Sequence, residues 1–117
     1  MPFFDGSTGR VHYRHWSVDG ATAAVVFAHG MRQHTGHYHR FAAGLAPHGI
    51  AVWGLDLAGH GLSEGNPGEP GAVDDLAADL LCVAELAERA EPGMPLVVMG
   101  HSLGAGTALT VLRTDAG

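Results

Sequence analysis

The chain has 117 residues, with six basic and twelve acidic side chains and a formal charge of −6; all six basic residues are arginine. At 46% hydrophobic and 15% charged, the composition is globular, and the length allows one domain at most. A net negative chain without a basic cluster is a poor nucleic-acid binder, no apolar run reaches the roughly 18 residues of a membrane span, and Met1–Gly6 lacks the basic and apolar regions of a signal peptide. A cytoplasmic protein is expected.

The segment Arg10–Trp16 alternates in character and predicts a half-exposed strand. Ala23–Ala28 is a continuous apolar run, the pattern of a strand buried on both faces, and Ile50–Leu55 and Pro95–Met99 read the same way. Between the first two runs, Tyr38, Phe41, Ala42 and Leu45 recur at helical spacing, stopped by Pro47 and Gly49. Between the second and third, Val73, Leu76, Ala77, Leu80, Leu81, Ala84 and Ala87 form an apolar stripe that Pro92 and Gly93 end. Asp74 and Asp75 fall in its first turn, where the helix dipole favours negative charge. Residues 64–91 hold eight of the twelve acids, which predicts a solvated helix face. Cys82, the lone cysteine, excludes a disulfide framework and reads as a small core residue of this helix. Leu103–Leu112 suits a last helix. This strand–strand–helix–strand–helix–strand order predicts an α/β fold, an open and mostly parallel sheet with flanking helices.

Gly100-His101-Ser102-Leu103-Gly104 follows the last strand and opens the last helix. In such a G-x-S-x-G turn the serine occupies a strained backbone conformation, and the glycines let neighbouring elements approach closely. Ser102 is therefore the candidate nucleophile. An oxyanion developing at an attacked ester would need two backbone N–H donors. Leu103 supplies one by position, and Met31, in the loop after the first buried strand, is the candidate for the other.

The run His29-Gly30-Met31-Arg32-Gln33-His34-Thr35-Gly36-His37-Tyr38 resembles the oxyanion loop of monoacylglycerol lipase-like α/β-hydrolases. Residues 56–65, Asp56-Leu57-Ala58-Gly59-His60-Gly61-Leu62-Ser63-Glu64-Gly65, resemble the loop after that family's fourth strand, and residues 100–104 match its nucleophile elbow. Three motifs in the family's order span most of the chain, from about Asp5 to Leu112. The resemblance implies a serine hydrolase of carboxylic esters, with monoacylglycerols or lysophospholipids as substrates and no cofactor or metal. It also implies loop-bracing roles for Asp56, His60 and Ser63. Arg32 replaces a small residue of many relatives, His37 an Arg, and Ala105 a further Gly.

The same mechanism requires a His to take the serine proton and an acid to orient that His, in the order Ser, acid, His for this fold. Fifteen residues follow Ser102; they contain one acid, Asp115, at the end of the elbow helix, and no His. All nine His precede Ser102. His101 is adjacent but points away on such a turn, and His29 is expected to brace the oxyanion loop. Residues 1–117 are thus expected to form the N-terminal part of a single α/β-hydrolase domain, cut before the triad acid and base and inactive in isolation. In the family's sheet order, 1-2-4-3-5-6 onward, the strand Leu96–Met99 would become an exposed edge, which predicts self-association. A longer form would take a lipid or small ester substrate and could contact a membrane peripherally. Two alternatives have other content: a non-catalytic half-domain, and metal capture by His29, His34, His37 and His39, which fall within eleven residues.

Overall fold

Continuous apolar runs predict strands covered on both faces, and Ala23–Ala28 and Ile50–Leu55 pair with each other inside the sheet. The structure is a computed structural model describing residues 2–115. Its elements are β1 (Phe3–Gly6), β2 (Gly9–Trp16), β3 (Ala23–Ala28), α1 (His39–Leu45), β4 (Ile50–Leu55), α2 (Val73–Ala90), β5 (Leu96–Gly100) and α3 (Leu103–Asp115). The strands form one sheet in the order β1-β2-β4-β3-β5. β3 pairs in parallel with both β4 and β5, whereas β1–β2 and β2–β4 are antiparallel. The sheet is therefore mixed, and its parallel half carries the G-x-S-x-G turn. β1 was not expected from the sequence; it is a four-residue strand paired, among the described residues, with β2 alone, through a tight hairpin in which Gly6 faces Gly9.

Side-chain alternation along β3 and β4 divides the core in two. Val26, Ala28, Trp53 and Leu55 pack with Leu76, Leu80 and Val83 of α2 and Ala108 and Val111 of α3. Val25, Phe27 and Val52 face the other way, against Ala42, Phe41 and Leu45 of α1. The helix expected around Tyr38–Leu45 is a composite: a 3-10 turn over Thr35–Tyr38, α1 itself, and a second 3-10 turn over Ala46–His48. Gly49, at φ 75, then reverses the chain into β4.

Two expectations need correction. Pro95–Met99 reads as buried on both faces, yet β5 is only half-buried and Val97 is 56% exposed. Among the described residues its only sheet partner is β3, so a run of apolar residues lies along an open edge. The acids of residues 64–91 are also not all solvated. Asp79, on the inward side of α2, is 2% exposed and accepts the Ser7 amide at 2.8 Å. The stripe of α2 thus includes a carboxylate that fastens the helix to the β1–β2 hairpin.

Candidate active site

Ser102 sits at the turn from β5 into α3 with φ 57, one of two non-glycine residues among those described in the left-handed region. L residues avoid this region at a cost of roughly 1–2 kcal/mol, so the surroundings must impose it. They do so by close backbone approach. A Cβ on Gly104 would strike the carbonyl of Ala28 at the end of β3, and one on Gly100 would strike the Gly104 carbonyl. The His101 amide donates to the Ala28 carbonyl at 3.2 Å, tying the turn to the neighbouring strand. Ser102 is exposed.

The other non-glycine residue at positive φ is Arg32, at 64°. The Gln33 amide donates to the Gly30 carbonyl at 3.1 Å, so residues 30–33 form a tight turn with Met31 and Arg32 at its tip. Gln33 Oε1 accepts both the Gly30 amide (2.9 Å) and the Tyr38 hydroxyl (2.9 Å), fixing the base of that turn. The turn meets the elbow at Gly30, where an added Cβ would lie 2.8 Å from His101 Nδ1. Sequence reasoning therefore names two turns, and the structure brings them into contact. Among the described residues, the Met31 and Leu103 amides donate to no protein acceptor.

Asp56 holds the loops together. Buried at the end of β4, it accepts the Thr35 amide (2.7 Å) and hydroxyl (2.8 Å) on one oxygen. The other oxygen accepts the Leu62 amide (3.0 Å) and His12 Nδ1 (2.9 Å). Burial pushes its carboxyl up, but the Leu62 and Thr35 amides, the Thr35 hydroxyl and the His12 ring together hold it below the ordinary value. Ser63 extends the brace, with its Oγ accepting the His12 amide at 2.8 Å and donating to the Asp56 carbonyl. Thr35 Oγ1 also accepts Arg14 Nε at 2.8 Å. His12, Arg14, Gln33 and Thr35 were not picked out from the sequence. Their partners lie across the sheet or across a turn, and no local signal marks such contacts.

His29, His34, His37 and His39 have structural duties. His29 is fully buried; its Nε2 accepts the Leu57 amide at 2.9 Å, so the ring proton is on Nδ1, which donates to the Gly30 carbonyl at 2.7 Å. Burial lowers its pKa to about 4, so it is neutral and both nitrogens are occupied. It cannot accept the Ser102 proton. His34 Nδ1 accepts the Gly36 amide, His37 Nδ1 accepts the His34 amide, and His39 Nδ1 accepts the Trp16 ring N–H. Three of the four imidazoles proposed for metal capture thus cap turns or hold a neighbour, and His29 is sequestered. Among the described residues, no group of three or more His, Cys, Asp or Glu is arranged to hold a metal ion.

Beside the elbow lies a hollow of about 490 Å³, lined by Gln33, His37, Tyr38, Phe41, Met99, Gly100 and His101. Its lining combines the apolar side chains of Phe41 and Met99 with polar groups from Gln33, His37, Tyr38 and His101, a mixture suited to an ester with a hydrocarbon part. A smaller hollow of about 230 Å³ over residues 12–16 lies away from the turn.

Residues 19–117 match the family model described as serine aminopeptidase, S33. The chain is 34% identical over 98 residues to a monoacylglycerol lipase of Mycolicibacterium smegmatis and 31% identical over 97 residues to human monoglyceride lipase. These alignments cover 83% and 82% of this chain but only 35% and 32% of the relatives, so the chain spans about a third of their length. Among solved structures, a carboxyl esterase from Bacillus coagulans superposes with a TM-score of 0.86 at 21% identity, covering 99% of this chain and 40% of that one. A soluble variant of monoglyceride lipase from Saccharomyces cerevisiae superposes with a TM-score of 0.74 at 23% identity, covering 88% and 36%. Both likenesses are of fold.

Proposed function

The chain belongs to the serine aminopeptidase S33 family of α/β-hydrolases, and from that premise we propose that Ser102 is the nucleophile of a carboxylic-ester hydrolase acting through an acyl-enzyme. The observation that carries this reading is the strained φ of 57° at Ser102, held between two glycines whose missing Cβ atoms admit the neighbouring backbone. In the reaction, Ser102 Oγ attacks the ester carbonyl, and the Leu103 and Met31 amides donate to the oxyanion that forms. The base takes the serine proton and passes it to the departing alcohol, and water, deprotonated by the same base, then attacks the acyl-enzyme, releases the acid and restores the serine hydroxyl. The names of the lipase relatives support monoacylglycerols, with lysophospholipids as a related class, and the hollow lined in part by Phe41 and Met99 would take the hydrocarbon part.

In this reading residues 1–117 are the N-terminal part of one hydrolase domain, and the triad acid and base come from chain that follows. The ring of His29 supports that view, because both of its nitrogens are engaged with Gly30 and Leu57 and this buried imidazole of the oxyanion loop is unable to act as base. The isolated chain then shows little turnover. A cytoplasmic setting suits the single thiol of Cys82, and no described helix is long and apolar enough to cross a membrane. A longer form would meet its lipid substrate at a membrane surface, and the isolated chain would self-associate through β5.

The test is covalent labelling. With the chain joined to its downstream coding sequence, a fluorophosphonate probe should label Ser102, and Ser102→Ala should lose at least about 99% of the signal. Undiminished labelling of the Ala variant would place the nucleophile elsewhere and end this reading.

A further inference from the structure

The stretch of chain that carries the oxyanion turn differs in charge from the rest. No Asp or Glu occurs from Gly20 through Leu55, although the net charge is −6 and eight acids fall within residues 64–91. The acid-free stretch includes the oxyanion turn and α1, and it supplies Arg32 and Arg40, both exposed. Arg14, on β2, reaches the 3-10 turn that follows the oxyanion turn, where its terminal nitrogen would lie 3.8 Å from a Cβ on Gly36. Through Thr35, Arg14 is linked to the buried Asp56 carboxylate, which offsets part of its charge. Arg32 and Arg40 have no such compensation: among the described residues neither has a hydrogen-bond, ion-pair or ring partner.

Arg32 adds a second peculiarity. It occupies a left-handed position, φ 64, which glycine would adopt without strain. A bulky cation is thus held at a strained position one residue past Met31, in contact with no other part of the fold through its charge. Strain of this kind persists where the surroundings or a ligand make use of it. A guanidinium offers paired N–H donors that match two oxygens of a phosphate, and a neutral head group leaves them unanswered.

We propose that Arg32, assisted by Arg40, is a specificity-determining residue that selects esters whose alcohol part carries a phosphate. The inference deepens the ester-hydrolase reading and rests on it for the meaning of the word substrate, but the binding event requires no chemistry at Ser102. The ligand's acyl part lies toward Phe41 and Met99, and its phosphate toward the Arg32 side of the oxyanion turn.

The test is calorimetric titration of the Ser102→Ala chain in low salt with glycerol 3-phosphate and, separately, with glycerol. Glycerol 3-phosphate should bind and glycerol should not. Arg32→Gly should weaken binding about tenfold, Arg40→Gln should weaken it less, and Arg89→Gln, on the last turn of α2, should leave it unchanged. Salt at about 0.5 M should suppress the difference. Because glycine suits the backbone at residue 32, the variant should unfold no earlier than the parent; Arg32→Gln serves as a second variant that removes the charge alone. Equal affinity of parent and both Arg32 variants, or equal binding of glycerol, overturns the proposal. So does Arg32-dependent sedimentation with phosphatidylglycerol vesicles, but not phosphatidylcholine vesicles, when glycerol 3-phosphate fails to bind; the cations would then read a surface and not a head group. Loss of Ser102 labelling leaves these titrations standing, and their failure leaves the labelling standing.

Discussion

His29 shows how one buried side chain sets both geometry and pH behaviour. Its ring accepts the Leu57 amide and donates to the Gly30 carbonyl, joining the end of β4 to the turn that presents Met31. Burial lowers its pKa from 6.5 to about 4. Between those values the unfolded chain takes up a proton that the folded chain refuses, so stability is full above about pH 6.5 and falls toward pH 4. A shift of that size corresponds to about 3 kcal/mol. The depressed carboxyl of Asp56 adds loss in the same direction at lower pH, and the raised one of Asp79 opposes it. Urea unfolding at pH 7 and pH 4.5 should show this loss in the parent, while His29→Gln should be weaker at pH 7 and flatter between the two. An unchanged slope in the variant would mean that other groups carry the effect. The bracing role of His29 was legible from its place beside the oxyanion loop. Its tautomer was not, because that depends on the register by which Leu57 comes to face it.

The elbow and the helix that leaves it show why similar glycines have different consequences. Gly104 is pressed against the carbonyls of Ala28 and His29, whereas Gly106, two residues on in α3, has nothing within 4 Å of its missing Cβ. Gly104→Ala must therefore push α3 from the end of β3 and cost about 3 kcal/mol or more, with loss of the strained Ser102 conformation. Gly106→Ala adds no clash and removes a poor helix former, so it should stabilise by about 0.5–1 kcal/mol. Chemical denaturation of the two variants separates these outcomes, and a tolerated Gly104→Ala would refute the packing described at the elbow. The G-x-S-x-G spacing made the turn legible in the sequence. The strand and helix order was legible too, from apolar runs and helical stripes. What escaped was β1, a four-residue strand whose pairing depends on β2, and the burial of Asp79, whose partner Ser7 lies 72 positions away. Local pattern carries no record of contacts at that separation.

At the open side of the sheet, β5 offers the unpaired backbone groups of an apolar strand, with Val97 56% exposed on it and the hollow over Met99 beside it. Edge strands of this type pair with other chains unless charge or a covering element prevents it, and β5 contains no charged residue. The charge that could keep copies apart is concentrated within residues 64–91, outside this strand. Self-association through β5 should therefore appear as a concentration-dependent rise in sedimentation coefficient, even though the chain is net negative. Val97→Lys places a charge on the exposed edge without entering either buried cluster, since Val97 belongs to neither. It should return the chain to a monomer while shifting its unfolding midpoint by no more than about 0.5 kcal/mol in free energy. A parent chain that stays monomeric at every concentration would show that β5 is protected by something other than charge, and a Val97→Lys chain that still associates would move the contact off this edge.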